Sequence, residues 1–281
     1  MRRKIFIKSG LVLISFLFTL LLFEGILRAT GQYIQSPLYI EDYRTGLILL
    51  KPSSRMKVKS GCFENEIVTN RYGFHGSDYD QLRPKGTYRI AILGDSFVEA
   101  AQVPLAKTFP VLLEEKLNHD PGRRLKYEAM SFGISSHGTY ASLLYFKYFA
   151  TKFKPDLVIN LYSYNDLADD LLYGRPYPFN EKGELMTDFS GQEPVLTDKI
   201  KKGAKNLLRK SVAIMTLRQK FKQFRQPKQT SSKPEILEST LVDQLWEKEE
   251  RILTEFKDIA ENSGAKFLLV SGTESSQVHP E

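Results

Sequence analysis

Hydrophobic positions follow three regimes along the chain. Over residues 5–27 they are nearly continuous. From 30 to 85 they are scattered among breakers such as Pro37, Pro52, Gly61, Gly73 and Pro84. From Tyr88 onward, short Val/Ile/Leu runs alternate with stretches at helical spacing. The runs 88–93, 125–130, 156–162 and 265–271 read as strands buried on both faces. Between them, 109–117 (with Pro110 near its start), a stretch reaching Phe153, and 241–262 read as helices. This alternation predicts successive βαβ units, whose right-handed crossovers give a parallel sheet covered by helices. The polar turns that follow three of the strands, around Ser96, Gly133 and Asn165, then gather on one edge, where open α/β sheets bind ligands.

The first regime is a membrane-directed segment. Residues 5–27 are long enough to cross a bilayer core of about 30 Å as a helix, with Lys8 and Glu24 near its two ends. The basic tip, residues 1–4, predicts cytoplasm on its own side and the rest of the chain outside. A cleaved signal peptide is the rival reading. However, the apolar stretch is long, and Ala29-Thr30-Gly31 beside Arg28 is a poor cleavage site. Residues 28–86 are expected to form an irregular juxtamembrane segment, partly packed on a main domain at 87–281.

That domain is interrupted over about 171–234. Between Lys199 and Lys233 there is no Asp or Glu, while Leu207, Ile214, Leu217, Phe221 and Phe224 recur at helical spacing, so 199–233 reads as a basic amphipathic helix. Its basic face is either simply solvated or turned toward anionic lipid or an anionic polymer. The formal charge of +7 alone would also suit nucleic acid, but no zinc-finger spacing, basic zipper or RNA-binding signature is present. A single cysteine, Cys62, excludes an intramolecular disulfide and a cysteine-based zinc site. His75 reads as a surface or packing histidine, because no second ligand-type residue stands at metal spacing from it. No metal or organic cofactor is expected.

Chemistry enters at Gly94-Asp95-Ser96, where the first strand breaks. A serine nucleophile needs an exposed hydroxyl, donors aimed at the developing oxyanion, and a base. The backbone N–H of Ser96, the N–H of Gly133 and the amide of Asn165 would supply the donors. Asp95 is expected to shape the turn and Asp166 to position the Asn165 loop.

These residues give the chain its resemblance to the SGNH (GDSL-type) hydrolase family, membrane-anchored bacterial branch. Gly94-Asp95-Ser96 is similar to the family's first block, Gly133 to the second, and Ser163-Tyr164-Asn165-Asp166 to the third, with Ser163 where the family usually has Gly. The resemblance implies a flavodoxin-like, three-layer α/β/α fold. It also implies a serine esterase or O-acyl transferase acting on acyl esters, often of cell-envelope or extracellular saccharides. The family's last block, Asp-x-x-His, carries the orienting acid and the base, and it does not occur here. Of the histidines His75, His119, His137 and His279, only His137 and His279 are expected on the active edge as substitute bases. The chain is accordingly expected to be a fragment that ends one βα unit early and is nearly inactive as given. The alternative is a noncatalytic envelope protein that keeps the pocket to bind an acylated glycan or an assembly partner.

Overall fold

The computed structural model describes residues 2–30, 38–60, 63–119, 122, 124–163, 165–173, 178–189, 211, 213, 214, 216, 217 and 239–272. Cys62, Tyr164, His279 and most of the basic segment 199–233 lie outside the described residues. The chain divides into two compact units, one made of residues 1–37 and 194–235, the other of 38–193 and 236–281.

In the first unit, helix α1 (Arg2–Thr30) contains a stretch, Gly10–Thr30, that is long and apolar enough to cross a membrane, with mean hydropathy 2.4 and 6% of that window buried. Near its end, Glu24 bridges Arg28 at 2.7 Å and accepts hydrogen bonds from Ser211 Oγ at 2.9 Å and the Ala213 N–H at 2.8 Å. Residues 213, 214, 216 and 217 are helical, and Ala213 is buried against Leu27.

The second unit is built on a parallel sheet. Its strands are β5 (Thr87–Gly94), β6 (Lys126–Gly133), β7 (Leu157–Tyr162) and β8 (Lys266–Ser271), in the order β6-β5-β7-β8. This is the α/β architecture that the alternation of runs predicts. Side chains alternate across each strand. Ala91, Leu93, Met130, Phe132 and Val158 enter the larger core, shared with helix α4 (Thr139–Tyr148) and with Ile252, Phe256 and Ala260 of helix α6 (Ser239–Asn262). Ile90, Ile92, Ala129 and Ile159 face the other way, onto Leu113 and Leu117 of helix α3 (Phe109–Asn118). Two layers of helix thus sandwich the sheet.

The amino end of β5 is held by Arg89, whose guanidinium is fully buried. It pairs with Glu128 at 2.9 Å and donates to the carbonyls of Phe153 at 2.8 Å, Gln81 at 3.1 Å and Asp80 at 2.5 Å. A buried guanidinium is tolerated only when its donors are met in this way.

Two expectations need correction. Residues 28–86 are not irregular throughout. β1 (Tyr39–Glu41) pairs antiparallel with β2 (Ile48–Leu50), and β3 (Arg55–Ser60) with β4 (Phe63–Val68). Of β4 only Ile67 is buried, so the alternation that betrays a half-buried strand is too thin to read. The hairpins still feed the larger core, through Leu38, Leu47, Leu50 and Ile67, joined by Phe74. Second, β6 runs three residues beyond 130. Ser131, Phe132 and Gly133 pair with Ile92, Leu93 and Gly94, so Gly133 is a strand end and not part of a loop. Ser and Gly lack the side chains by which strands are recognised in a sequence.

Candidate active site

β5 ends at Gly94, whose φ of 153° lies outside the range that side-chain-bearing residues favour. A Cβ there would stand 2.7 Å from Val98 Cγ2 and 3.0 Å from the Leu161 carbonyl oxygen. The chain then enters the short helix α2 (Ser96–Glu99). Asp95 caps it, the buried carboxylate accepting from the Phe97 N–H at 2.9 Å. Capping turns Asp95 inward and leaves Ser96 half-buried at the first helical position, with Phe97 exposed beside it.

Gly133 is opposite Gly94 in the β5–β6 register. A Cβ at Gly133 would meet Glu99 N at 2.4 Å and Val98 Cβ at 2.5 Å, so α2 sits directly on this glycine and no larger residue fits. Ser131 Oγ donates to the Val98 carbonyl at 3.3 Å, and the Ser135 N–H donates to the Glu99 carboxylate.

On the other side of β5 lies β7, followed by Ser163 and helix α5 (Asp166–Ala168) with Asn165 as its N-cap. One amide hydrogen of Asn165 is used at 2.7 Å by Asp169 Oδ2, which orients the group and leaves its second hydrogen for another acceptor. Asp166 is buried and accepts from the Ser163 N–H at 3.1 Å, closing the turn. Burial pushes its pKa up to about 8, an effect reinforced by the neighbouring carboxylates of Asp95, Glu249 and Asp169. Asp170, buried nearby, accepts from the Tyr140 N–H at 2.8 Å and so caps α4, whose own N-cap residue is Gly138. Burial, with Glu249 close by, holds the Asp170 carboxyl well above the usual range, and burial also raises Glu249.

With β5 between β6 and β7, and adjacent strands about 4.8 Å apart, the three turns leave one edge side by side. Ser96 therefore lies between Gly133 and Asn165 on that edge. Asp95 and Asp166 lie behind them.

The histidines are placed differently. His137 is buried. Its Nε2 donates to the Ile48 carbonyl at 2.8 Å, its ring stands edge-on to Tyr145, and burial lowers its pKa to about 4, so it is neutral and faces the interior. The expectation of an edge-facing base is corrected here: β2 supplies the carbonyl that turns the ring inward. His75 is buried too, with Nδ1 donating to the Glu99 carbonyl at 2.9 Å. His119 follows α3 at the opposite edge of the sheet and is exposed. Among the described residues no histidine is hydrogen-bonded to Ser96. No group of three or more His, Cys, Asp or Glu side chains suited to a metal ion occurs among them either.

Sequence reasoning missed Glu99, Asp169, Asp170 and Glu249. Only Glu99 carried a signal, a carboxylate one helical turn beyond the nucleophile candidate.

No protein-family model matches the chain. No curated protein matches it either. Among solved structures the chain is similar to TesA, at 15% identity and a TM-score of 0.36, over 68% of this chain and 64% of that one. It thus spans a little under two thirds of the length of TesA. It is likewise similar to AlinE4, an SGNH-hydrolase family esterase, at 18% identity and a TM-score of 0.28, over 66% of this chain and 77% of that one.

Proposed function

We propose that this chain is a serine hydrolase of the SGNH type, an esterase or O-acyl transferase in which Ser96 is the nucleophile. The observation that carries the reading is the shared edge. A half-buried serine opens a helix at the end of β5, flanked by a glycine strand end that admits no side chain and by an oriented asparagine amide. In the proposed reaction Ser96 Oγ attacks the acyl carbon and gives its proton to a base. The negative charge that develops on the carbonyl oxygen is received by the N–H groups of Ser96 and Gly133 and the Asn165 amide. Collapse of this intermediate breaks the bond to the alcohol, which leaves with the proton. Water or a sugar hydroxyl then takes the acyl group by the same steps in reverse.

None of the described residues supplies the base. The segment after β8 is where we place it, because the Gly272 N–H bonds the Tyr162 carbonyl at 2.9 Å and so leaves the sheet at the same edge. His279 lies in that segment. Phe97, 63% exposed beside Ser96, offers an apolar wall to an acyl chain.

The setting extends the proposal. Helix α1 would act as a single uncleaved anchor with its basic tip in the cytoplasm, the hydrolase body in the periplasm or at the cell surface, and the basic segment 199–233 near anionic headgroups or an anionic polymer. Acyl esters of envelope saccharides are then the substrates within reach. The test is labelling of the full-length polypeptide by a fluorophosphonate probe: wild type is expected to label and Ser96→Ala not to. Equal labelling of both proteins would remove Ser96 as nucleophile.

A further inference from the structure

Glu99 is fully buried, three residues after Ser96, and each of its polar groups is engaged with a different part of the fold. One carboxylate oxygen accepts from Tyr39 OH, in β1, at 2.6 Å, and the other accepts from the Ser135 N–H, two residues beyond Gly133. Its carbonyl accepts from His75 Nδ1 at 2.9 Å, and its N–H donates to the Asp95 carbonyl at 3.0 Å. A buried carboxylate is costly unless its oxygens are met, and charge-assisted bonds of this kind are the strong ones. Burial and the adjacent carboxylate raise the Tyr39 pKa, so the phenol remains a donor.

We infer that Glu99 is a positioning residue for the proposed reaction: by holding the Ser135 N–H and Tyr39 together, it fixes the nucleophile turn against the Gly133 strand end and so sets the distance from Ser96 Oγ to the oxyanion donors. The inference rests on the reading of Ser96 as nucleophile. The closeness of α2 to Gly133 supplies the lever. The Glu99 N–H sits 2.4 Å from where a Gly133 Cβ would be, so the two backbones touch, and the hydrogen bonds of Glu99 add to the packing of Val98 in keeping them in register. β1, which lies in the segment read as irregular, thereby becomes a support of the site. In such sites a displacement of about 1 Å lowers the rate about a hundredfold without changing what is bound.

The experiment compares hydrolysis of p-nitrophenyl acetate by full-length wild type, Ser96→Ala, Glu99→Ala, Glu99→Gln and Tyr39→Phe, with a thermal melt of each. Glu99→Ala is expected to lower kcat about a hundredfold with KM within about twofold, the pattern of an interaction realised in the transition state. Glu99→Gln keeps an acceptor for Ser135 and should recover kcat to within about tenfold of wild type. Tyr39→Phe, which removes one hydrogen bond and no charge, should lower kcat about fivefold with Tm within about 5 °C. If Glu99→Ala does not fold, the Gln and Phe variants decide. Wild-type kcat in both would overturn the inference, as would losses that vanish when rates are corrected for the folded fraction. Wild-type activity in Ser96→Ala would instead overturn the nucleophile assignment, which separates the two failures.

Discussion

β5 and β7 are neighbours in one sheet and end at the same edge, but they treat buried polar groups in opposite ways. Along β5 and its turn every charged side chain below the surface is met: Arg89 by Glu128 and three carbonyls, Asp95 by the Phe97 N–H, Glu99 by Tyr39 and Ser135. Along β7 and its turn buried polar groups are met only in part. Both amide atoms of the fully buried Asn160, the Tyr162 hydroxyl and Asp166 Oδ1 have no hydrogen-bond partner among the described residues, and the carboxyls of Asp166, Asp170 and Glu249 crowd together with raised pKa values. Satisfied buried networks rigidify, whereas unsatisfied ones store free energy that a proton or a substitution can release. The half of the edge that carries the proposed nucleophile is therefore the fixed half. The asparagine half responds to its surroundings.

The largest effect that would break this contrast is at Arg89. Arg89→Ala leaves the buried Glu128 with only the longer bridge to Lys126 at 3.8 Å and should lower the unfolding free energy by about 4 kcal/mol in denaturant titration. Next, Gly133→Ala forces a Cβ onto the Glu99 backbone. It should destabilise by about 3 kcal/mol and lower the rate of probe labelling at Ser96 more than the melt alone accounts for.

The pH dependence comes third and belongs to the β7 side. Asp166 has a folded pKa of about 8 against 3.8 for an ordinary aspartate. The native state thus holds a proton that the unfolded chain has released, and stability falls as pH rises through the folded value. Between pH 6 and pH 8 the loss from this group should be about 2 kcal/mol, and Asp166→Asn, which keeps an acceptor for the Ser163 N–H, should flatten that part of the curve. Smallest is Asn160→Leu. It removes a buried amide without partners and should raise stability by about 1 kcal/mol, whereas an apolar replacement at Arg89 has no such gain to offer.

Much of this contrast was out of reach of the sequence, for a physical reason. The four strands are legible because each is buried on both faces and must be apolar, and their order of appearance with helices between them dictates a parallel sheet. Gly94-Asp95-Ser96 is legible because a glycine, a cap and a hydroxyl form a local arrangement. The hairpins of residues 39–68 are not, since β1 and β2 are only three residues each and only Ile67 marks β4 from inside. Nor is the end of β6, where Ser131 and Gly133 replace apolar side chains. His137 illustrates the limit best. Its place in the chain puts it near the active edge, but a carbonyl from Ile48, 89 residues earlier, turns its ring into the core. Glu99 gains its partners in the same way, from Tyr39 and His75, at distances along the chain that no periodicity records.

The central claim is that Ser96, Gly133 and Asn165 form one site for a tetrahedral acyl intermediate. Its most direct test is a crystal structure of the full-length polypeptide after reaction with a fluorophosphonate, which mimics that intermediate. The account predicts phosphorus bonded to Ser96 Oγ, with the phosphoryl oxygen about 2.7–3.1 Å from the N–H groups of Ser96 and Gly133 and from Asn165 Nδ2. Phosphorus on any other side chain, or a phosphoryl oxygen on Ser96 pointing to solvent away from Gly133 and Asn165, would contradict it.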